Sequence, residues 1–280
     1  MWTIIRRSLA RSRGQILGWG IGLALLAAYL GSFYDTLAAQ GESYQALLGS
    51  MPPQLMAFFG DVTDMFTPVG YLTVYFFSYM PIVIGIFPVL AGSGLLASDE
   101  EAGTLDLVLA QPISRTRLFL GRVAGFVIGM TLILTMSWLG LAVTAPGSGL
   151  ALGIGRLALP QVSFLAYLLV VGMLALLLSM LLPSRSTAAT VSGLFLVGNY
   201  FVDSWTSLEP GLEPIAAVLP LAYLQGGRAL EGLDWGSLGI LLGAALAMGL
   251  LAWWRFQRRD IRVAGEGSWR LPGRGRPTAR

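Results

Sequence analysis

Residues 98–122 have the sequence SDEEAGTLDLVLAQPISRTRLFLGR, a charged island between two long apolar stretches. The beginning of this charged island predicts the start of a short helix. Ser98 can cap that helix, and Glu101, three residues later, completes the spacing of a capping box. The acidic residues of the first turn also place negative charge at the positive end of the helix dipole. We therefore expect a helix that begins at Ser98.

The middle of the charged island predicts an amphipathic helix and its end. Leu105, Val108 and Leu109 are spaced so that they share one helical face. Pro112 ends the helix, because a proline disfavours helical geometry in the residue before it. A short amphipathic helix over residues 98–112, between two membrane spans, would offer a docking surface to a soluble partner.

The composition indicates the class of protein. Of the 280 residues, 55% are hydrophobic and only 12% are charged, about half the charged fraction of a soluble domain. The apolar residues concentrate in runs of about 20, the length at which a helix crosses a bilayer. We expect an all-α, polytopic membrane protein with six transmembrane helices, at residues 15–33, 71–97, 118–144, 157–182, 188–205 and 235–256.

The arginines predict the orientation of these spans. Six spans would place both ends of the chain on one side of the membrane, together with the charged island. Sixteen of the 18 basic residues would lie on that side, and only Arg156 and Arg228 on the other. Because arginine and lysine accumulate on the cytoplasmic side of membrane proteins, the expected topology is N-in and C-in.

Four further segments lie outside the predicted spans. Residues 1–14 are basic with an apolar side, which predicts an amphipathic helix in the cytoplasmic membrane interface. Residues 34–70 would form a long outer loop, and residues 206–234 are apolar but too interrupted for a span, which suits a re-entrant segment. The tail, 263–280, is rich in Gly, Pro and Arg. We expect it to be disordered and to lie near anionic lipid.

Glycines, prolines and polar residues mark functional candidates within the spans. Three glycine-containing faces would permit close helix packing: Gly18 with Gly22, Gly121 with Gly125 and Gly129, and Gly239 with Gly243. Pro81 and Pro88 would kink the second span, either as a gating hinge or as a static bend. Asn199 and Asp203 lie near the outer end of the fifth span, where polar residues are costly and often functional. The position of Asp203 favours solvation over contact with a substrate.

Several residue types are missing, which excludes many chemistries. The chain has no cysteine and no histidine, and all 18 basic residues are arginine. This excludes the usual zinc sites, a Ser-His-Asp triad and the lysine of a P-loop. The arginines belong to membrane boundaries, so they do not indicate a nucleic-acid partner. Any ATP-driven step would therefore need a separate subunit.

The charged island resembles one known family. EEAGTL at residues 100–105 and QPISR at 111–115, in a cytoplasmic segment between the second and third of six spans, are similar to the ABC-2 family of ABC-transporter permeases. The resemblance extends to the span count, the long first outer loop and the broken segment before the last span. Pro220 and Tyr223 also match the family's Pro-x-x-Tyr before the final helix.

This resemblance implies a fold, partners and site residues. It implies a type V exporter-like permease in a prokaryotic inner membrane, working as a homodimer with two ABC ATPase subunits. ATP and Mg²⁺ would bind to those ATPases, with no cofactor in this chain. The exported substrate would be small and hydrophobic or amphipathic, such as a drug, antibiotic or lipid-like molecule. The implied ATPase-coupling residues are Glu100, Glu101, Gly103, Thr104, Leu105, Val108, Leu109, Pro112 and Arg115; the possible path or gate residues are Pro81, Pro88, Asn199, Asp203, Pro220 and Tyr223.

Other roles stay open for these residues and for the chain. Glu100 and Glu101 would either meet arginines of the ATPase or cap their own helix. Arg115 and Arg117 would either contact the partner or anchor the topology. The chain itself has three alternatives: a secondary transporter, an intramembrane enzyme, and a membrane subunit that binds an ATPase without transporting a substrate. A secondary transporter would need inverted repeats along the chain and ionisable residues in the middle of the membrane. An intramembrane enzyme would need catalytic groups that the chain lacks.

Overall fold

The computed structural model describes residues 1–41, 66–104, 113–206 and 209–258, and all regular elements in these ranges are helical. The expected all-α fold class is confirmed for this part of the chain. The α-helices are α1 (Trp2–Ala38), α2 (Pro68–Leu72), α3 (Met80–Gly94), α4 (Ala97–Glu101), α5 (Arg115–Thr144), α6 (Ile154–Leu181), α7 (Arg185–Trp205), α8 (Glu213–Ala216) and α9 (Trp235–Arg258).

Four of these helices are long and apolar enough to cross a membrane. They are α1, α5, α6 and α9, and a fifth span is counted if the bent pair Pro68–Phe77 and Met80–Gly94 crosses as one unit. The last three predicted spans of this group, 118–144, 157–182 and 235–256, differ from α5, α6 and α9 by only a few residues at each end. The protein is therefore a multi-pass membrane protein.

Helix α7 covers the predicted fifth span, 188–205, but its mean hydropathy is lower than that of the four helices above. Its serines and threonines, together with Asn199 and Asp203, lower its mean hydropathy. Its 21 residues give a length of about 31 Å, which matches the hydrocarbon core of a bilayer.

Helix α1 combines two segments that the sequence predicted separately. We expected an interfacial helix at residues 1–14 and a span at 15–33, but the structure has one continuous helix of 37 residues. Gly14 is the only helix-weakening residue at the junction, and a single glycine is tolerated within a helix. The helix is about 55 Å long, so it extends well beyond the hydrocarbon core.

Helices α1 and α5 pack side by side along most of their length because glycines let their backbones approach. In order along both helices, the contacts are Ile4 with Gly121, Ser8 with Gly125, Ile16 with Gly129, Ala24 with Gly140 and Gly31 with Thr144. The predicted face of Gly121, Gly125 and Gly129 therefore does pack against another helix. Both series ascend, so the two helices run parallel, as expected of first and third spans.

The other two glycine pairs do not make such contacts. A Cβ added at Gly18, Gly22, Gly239 or Gly243 would meet no atom within 4 Å. These faces are therefore unpacked within the described part of the chain.

The second predicted span, 71–97, is interrupted at both ends of α3. A π-helical turn, Thr73–Phe77, precedes α3, and the axis bends by 42° at the break between them. Pro81 lies in the first turn of α3, directly after this break, where its missing N–H needs no partner. Pro88 lies inside α3. The 42° bend lies before α3, and Pro81 is the proline next to it.

Helix α6 is at the centre of the fold and packs against α3, α5, α7 and α9. Its buried side chains include Phe164 and Tyr167, which are 1% and 0% exposed. Phe164 stacks on Phe77 of the π-helical turn, with ring centroids 5.9 Å apart. The core is therefore built around the most apolar of the long helices.

The segment predicted as re-entrant, 206–234, forms short turns in its described residues. These are α8 and the 3₁₀ helices Pro210–Leu212, Pro220–Tyr223 and Gly226–Leu230, because prolines and glycines interrupt any longer helix. The segment ends at Asp234, whose carboxylate accepts hydrogen bonds from the N–H groups of Gly236 and Ser237 at the start of α9. The Ser237 hydroxyl and these N–H groups lower the pKa of Asp234.

Three predictions lie wholly or mostly outside the described residues. They are most of the outer loop (42–65), the second half of the amphipathic helix predicted at 98–112 (105–112), and the tail (263–280).

Gly140→Ala tests the close packing of α1 and α5. The new Cβ would lie 2.2 Å from the Ala24 carbonyl oxygen, so the helices must separate. We expect the free energy of unfolding to fall by about 1–3 kcal/mol, measured as thermal unfolding of the purified protein. Gly22→Ala is the matched control, because its Cβ would meet nothing within 4 Å. Equal stability of the two variants would contradict the packing.

Candidate coupling site

The short helix α4 ends in a glycine motif that explains two of the predicted coupling residues. The Gly103 N–H donates to the Glu100 carbonyl oxygen at 3.0 Å, and the Thr104 N–H donates to that of Asp99 at 2.9 Å. Gly103 has φ +64°, a left-handed conformation that favours glycine. These bonds form a Schellman motif. Gly103 and Thr104 therefore end the helix at this point, before residues 105–112.

The predicted capping box at Ser98 is wrong. Helix α4 covers Ala97–Glu101, its N-cap is Leu96, and no side chain makes a capping hydrogen bond there. Ser98 lies within the helix, so its hydroxyl cannot occupy the capping position. The two side chains of the supposed box have separate environments.

Glu101 caps a different helix. Its Oε1 accepts a hydrogen bond from the backbone N–H of Arg185, the first residue of α7, at 2.8 Å. The Ser184 side chain accepts from the Thr187 N–H in the same turn. A carboxylate at a helix N-terminus is favourable because the free N–H groups and the helix dipole attract negative charge. Glu101 therefore attaches α4 to α7.

Asp99 attaches α4 to two further helices. It is only 5% exposed, and its two carboxylate oxygens bind different arginines: Oδ1 binds Arg11 of α1, and Oδ2 binds Arg122 of α5. A buried carboxylate is tolerated when it is paired and hydrogen-bonded. We call Asp99, Arg11 and Arg122 the ion-pair node.

The ion-pair node has no signature in the local sequence. Asp99 is one of three consecutive acidic residues, and no local pattern shows which one is buried. Both arginines were interpreted as topology markers. One available signal was the position of Arg122, four residues into an apolar run, where an unpaired cation would be costly.

Arg115 also has a role within the fold. Its guanidinium donates to the carbonyl oxygens of Phe256 and Gln257, each at 3.3 Å. These carbonyls lie in the last turn of α9, where a cation also complements the helix dipole. The side chain therefore joins the start of α5 to the end of α9, while Arg117 is exposed.

The remaining predicted coupling residues are only partly described. Glu100 is half-buried, and Thr104, just after α4, is exposed. Leu105, Val108, Leu109 and Pro112 lie outside the described residues. The part of the chain that the structure describes has no cluster of three or more acidic, His or Cys side chains that could hold a metal.

Two of the possible path or gate residues line one cavity. Pro81 and Asp203 belong to the wall of a cavity of about 380 Å³ between the start of α3, the end of α7 and the segment 221–228. The same wall includes Arg228, and the two charged groups form no ion pair within the described ranges. The cavity therefore presents both a cation and an anion.

Asn199 is placed differently. It is 2% exposed, and its amide donates to the hydroxyl of Tyr167 in α6 at 3.4 Å. Its side-chain oxygen has no hydrogen-bond partner among the described residues. Asn199 therefore lies within the helix packing, outside the cavity wall.

The other three candidates shape the backbone. Pro88 lies inside α3 and near Gly172 of α6, where an added Cβ would be 3.3 Å from the Pro88 Cβ. Pro220 and Tyr223 begin and end a 3₁₀ helix, and the Tyr223 hydroxyl donates to the Ala217 carbonyl oxygen at 2.9 Å. None of the three lines the cavity.

Glu101→Ala should destabilise the protein through the start of α7. Loss of this capping carboxylate should lower the free energy of unfolding by about 1 kcal/mol, measured by thermal unfolding of the protein without any partner. Glu101→Gln is the control, because its amide oxygen can still accept the Arg185 N–H. We expect it to retain most of the stability, and an equal loss in both variants would argue against the cap.

A comparison with family models identifies the chain. The model of the ABC-2 family transporter proteins matches residues 2–261, nearly the whole chain. A search of curated proteins found no match. The chain therefore belongs to the ABC-2 family, as the resemblance of the charged island implied. Permeases of this family are membrane transport components that work with ABC ATPase subunits.

Proposed function

We propose that this ABC-2 family member is the membrane subunit of an ABC transporter, driven by a separate ATPase through residues 98–112. One observation supports this most directly: α4 is joined by side chains to three membrane helices. Asp99 binds α1 and α5, and Glu101 binds α7. A force applied to the segment that follows α4 would therefore reach all three helices.

The power source in this proposal is a partner protein. The chain has no lysine and therefore no P-loop. Two ATPase copies would bind ATP and Mg²⁺, one for each copy of a permease homodimer. We assign the docking contact to Glu100 and to the side chains of 105–112. Asp99, Glu101 and Gly103 also have roles within the permease itself.

The proposed topology has six spans with both ends in the cytoplasm. Helix α7 would be the fifth span and the bent pair of α2 and α3 the second. The parallel packing of α1 and α5 supports this arrangement, since the second span returns the chain between them. From the arginine distribution we infer that the charged island faces the cytoplasm, and we propose the plasma membrane of a prokaryotic cell as the location.

The proposed transport is export of a small hydrophobic or amphipathic substrate. The cavity that holds Asp203 and Arg228 lies at the end of α7 opposite to Glu101. In the six-span topology this is the outer end of the membrane domain. Its volume of about 380 Å³ is within the range of small-molecule sites, and it would lie on the release side of the path.

Single-cysteine labelling tests the topology. The native chain has no cysteine, so Thr104→Cys and Glu213→Cys each create one thiol at an exposed position. A membrane-impermeant maleimide added to intact cells should label position 213 and leave position 104 unlabelled. In inside-out vesicles the pattern should reverse. Labelling of position 104 in intact cells would contradict the proposed orientation.

Asp99→Asn tests the coupling. Asp99 is buried away from a partner's surface, so the ATPase should still co-purify with the variant. Transport should fall by about two- to thirty-fold, the range expected when a coupling contact is lost, measured as ATP-dependent substrate efflux in vesicles. Glu213→Gln, which removes an exposed carboxylate, should transport normally.

Two controls make the coupling experiment decisive. The first control is the double variant Asp99→Asn/Arg122→Gln. If Asp99 acts through its ion pair with Arg122, this double variant should lose little more transport than Asp99→Asn alone. Thermal unfolding of each variant separates loss of coupling from loss of folding. Normal transport by folded Asp99→Asn would contradict the role of the ion-pair node, and absence of any bound ATPase from the native protein would contradict the function.

A further inference from the structure

A second cavity, of about 540 Å³, lies beside the ion-pair node. It opens between the first three turns of α1, the end of α4 and the start of α5. Among the described residues, its wall includes Arg7, Arg11, Asp99 and Arg122. The proposed coupling mechanism uses only Asp99, Arg11 and Arg122 of this wall.

The charges of this cavity do not balance. The described wall residues include three guanidinium groups, those of Arg7, Arg11 and Arg122, and one carboxylate, that of Asp99. Arg7 forms no ion pair within the described ranges, and the Arg11 side chain is still 54% exposed although it binds Asp99. Among the described residues, the wall therefore has an excess of two positive charges and guanidinium donors that remain accessible.

The rest of the wall is suited to an amphipathic ligand. Thr3 provides a hydroxyl group in the same wall, while Ile4, Ile113 and Leu118 provide apolar surface. The Thr104 hydroxyl already donates to the Asp99 carbonyl oxygen at 3.2 Å. A free anion would use only the polar groups. A phospholipid would also use the apolar surface, with its phosphate at the arginines and its glycerol and upper acyl chains against the isoleucines and leucine.

The depth of the cavity also matches a lipid headgroup. Arg11 precedes the apolar run 15–33 by one helical turn, about 6 Å, which is the depth of the headgroup layer beside the hydrocarbon core. Arg122 lies one turn inside the apolar part of α5.

We propose that this cavity binds the phosphodiester of an anionic phospholipid from the cytoplasmic leaflet. Arg7 and the exposed side of Arg11 donate to the phosphate oxygens, in the bidentate geometry that guanidinium and phosphate share. Asp99 holds Arg11 and Arg122 in place, so the site is formed before the lipid binds. The apolar wall favours a lipid over an acidic protein surface.

Arg7→Gln and Arg6→Gln form a matched pair for the test. Each removes one exposed arginine from the same turn of α1, but only Arg7 lines the cavity. The full-length variants are delipidated in detergent and titrated with phosphatidylglycerol or phosphatidylcholine, and bound lipid is counted by native mass spectrometry. The measurement uses the permease alone, so its result is independent of the proposed transport function.

The expected result is specific to lipid and to position. The native protein and Arg6→Gln should prefer phosphatidylglycerol, and Arg7→Gln should bind it about five-fold more weakly, as expected for one arginine near an anionic surface. Thr3→Val, which removes a hydroxyl without changing charge, should weaken binding to a smaller extent. Inorganic phosphate at the same concentration should not displace the lipid.

Four results would overturn the proposal. Equal losses in Arg6→Gln and Arg7→Gln would indicate general surface charge, and equal binding of the two lipids, which both contain a phosphodiester, would show that the net negative charge of the lipid is not recognised. Displacement by inorganic phosphate, dependent on Arg7, would assign the site to free phosphate. Displacement of the lipid by added ATPase would assign this wall to protein docking.

Discussion

The buried carboxylate of Asp99 determines where the coupling segment lies. Helix α4 has only five residues, too few for a helix to be stable alone. Its place is fixed because Asp99 neutralises Arg11 and Arg122, which come from parts of the chain 88 and 23 residues away. Moving α4 would leave Arg122, whose side chain is 13% exposed, without its carboxylate in a poorly hydrated site, a change that usually costs several kcal/mol.

This ion pair lies where α1 and α5 pack closely. Arg11 and Arg122 project from the two helices and bind the two oxygens of the same carboxylate. The neighbouring contacts at Gly121 and Gly125 bring the backbones together, and Arg122 lies between these two glycines in the sequence. The glycine face and the ion-pair node are therefore parts of one arrangement. Arg115, bound to the last carbonyls of α9, joins another helix to the same end of α5.

The sequence predicted those features whose physical cause is local. The bounds of α5, α6 and α9 follow from long apolar runs with polar ends, and the packing face of α5 follows from glycine spacing. The predicted capping box at Ser98 was wrong because Glu101 caps a helix 84 residues further along the chain. Ser98 and Glu101 have the spacing of a capping box, but spacing alone does not show whether the two capping hydrogen bonds form. The burial of Asp99, like the continuity of α1, depends on tertiary packing, which one sequence pattern does not encode.

Helix α7 connects the two ends of the proposed mechanism. Its first N–H is bound by Glu101 beside the coupling segment, and Asp203, eighteen residues later, lines the cavity at its other end. These positions are about 27 Å apart along a continuous helix, and α7 contains no proline that could absorb a displacement. In the transporter that we propose, a shift of α4 would therefore move the cavity wall directly. The buried Asn199 would slide against Tyr167 of α6 during that shift, so their hydrogen bond, at 3.4 Å, would have to lengthen or break.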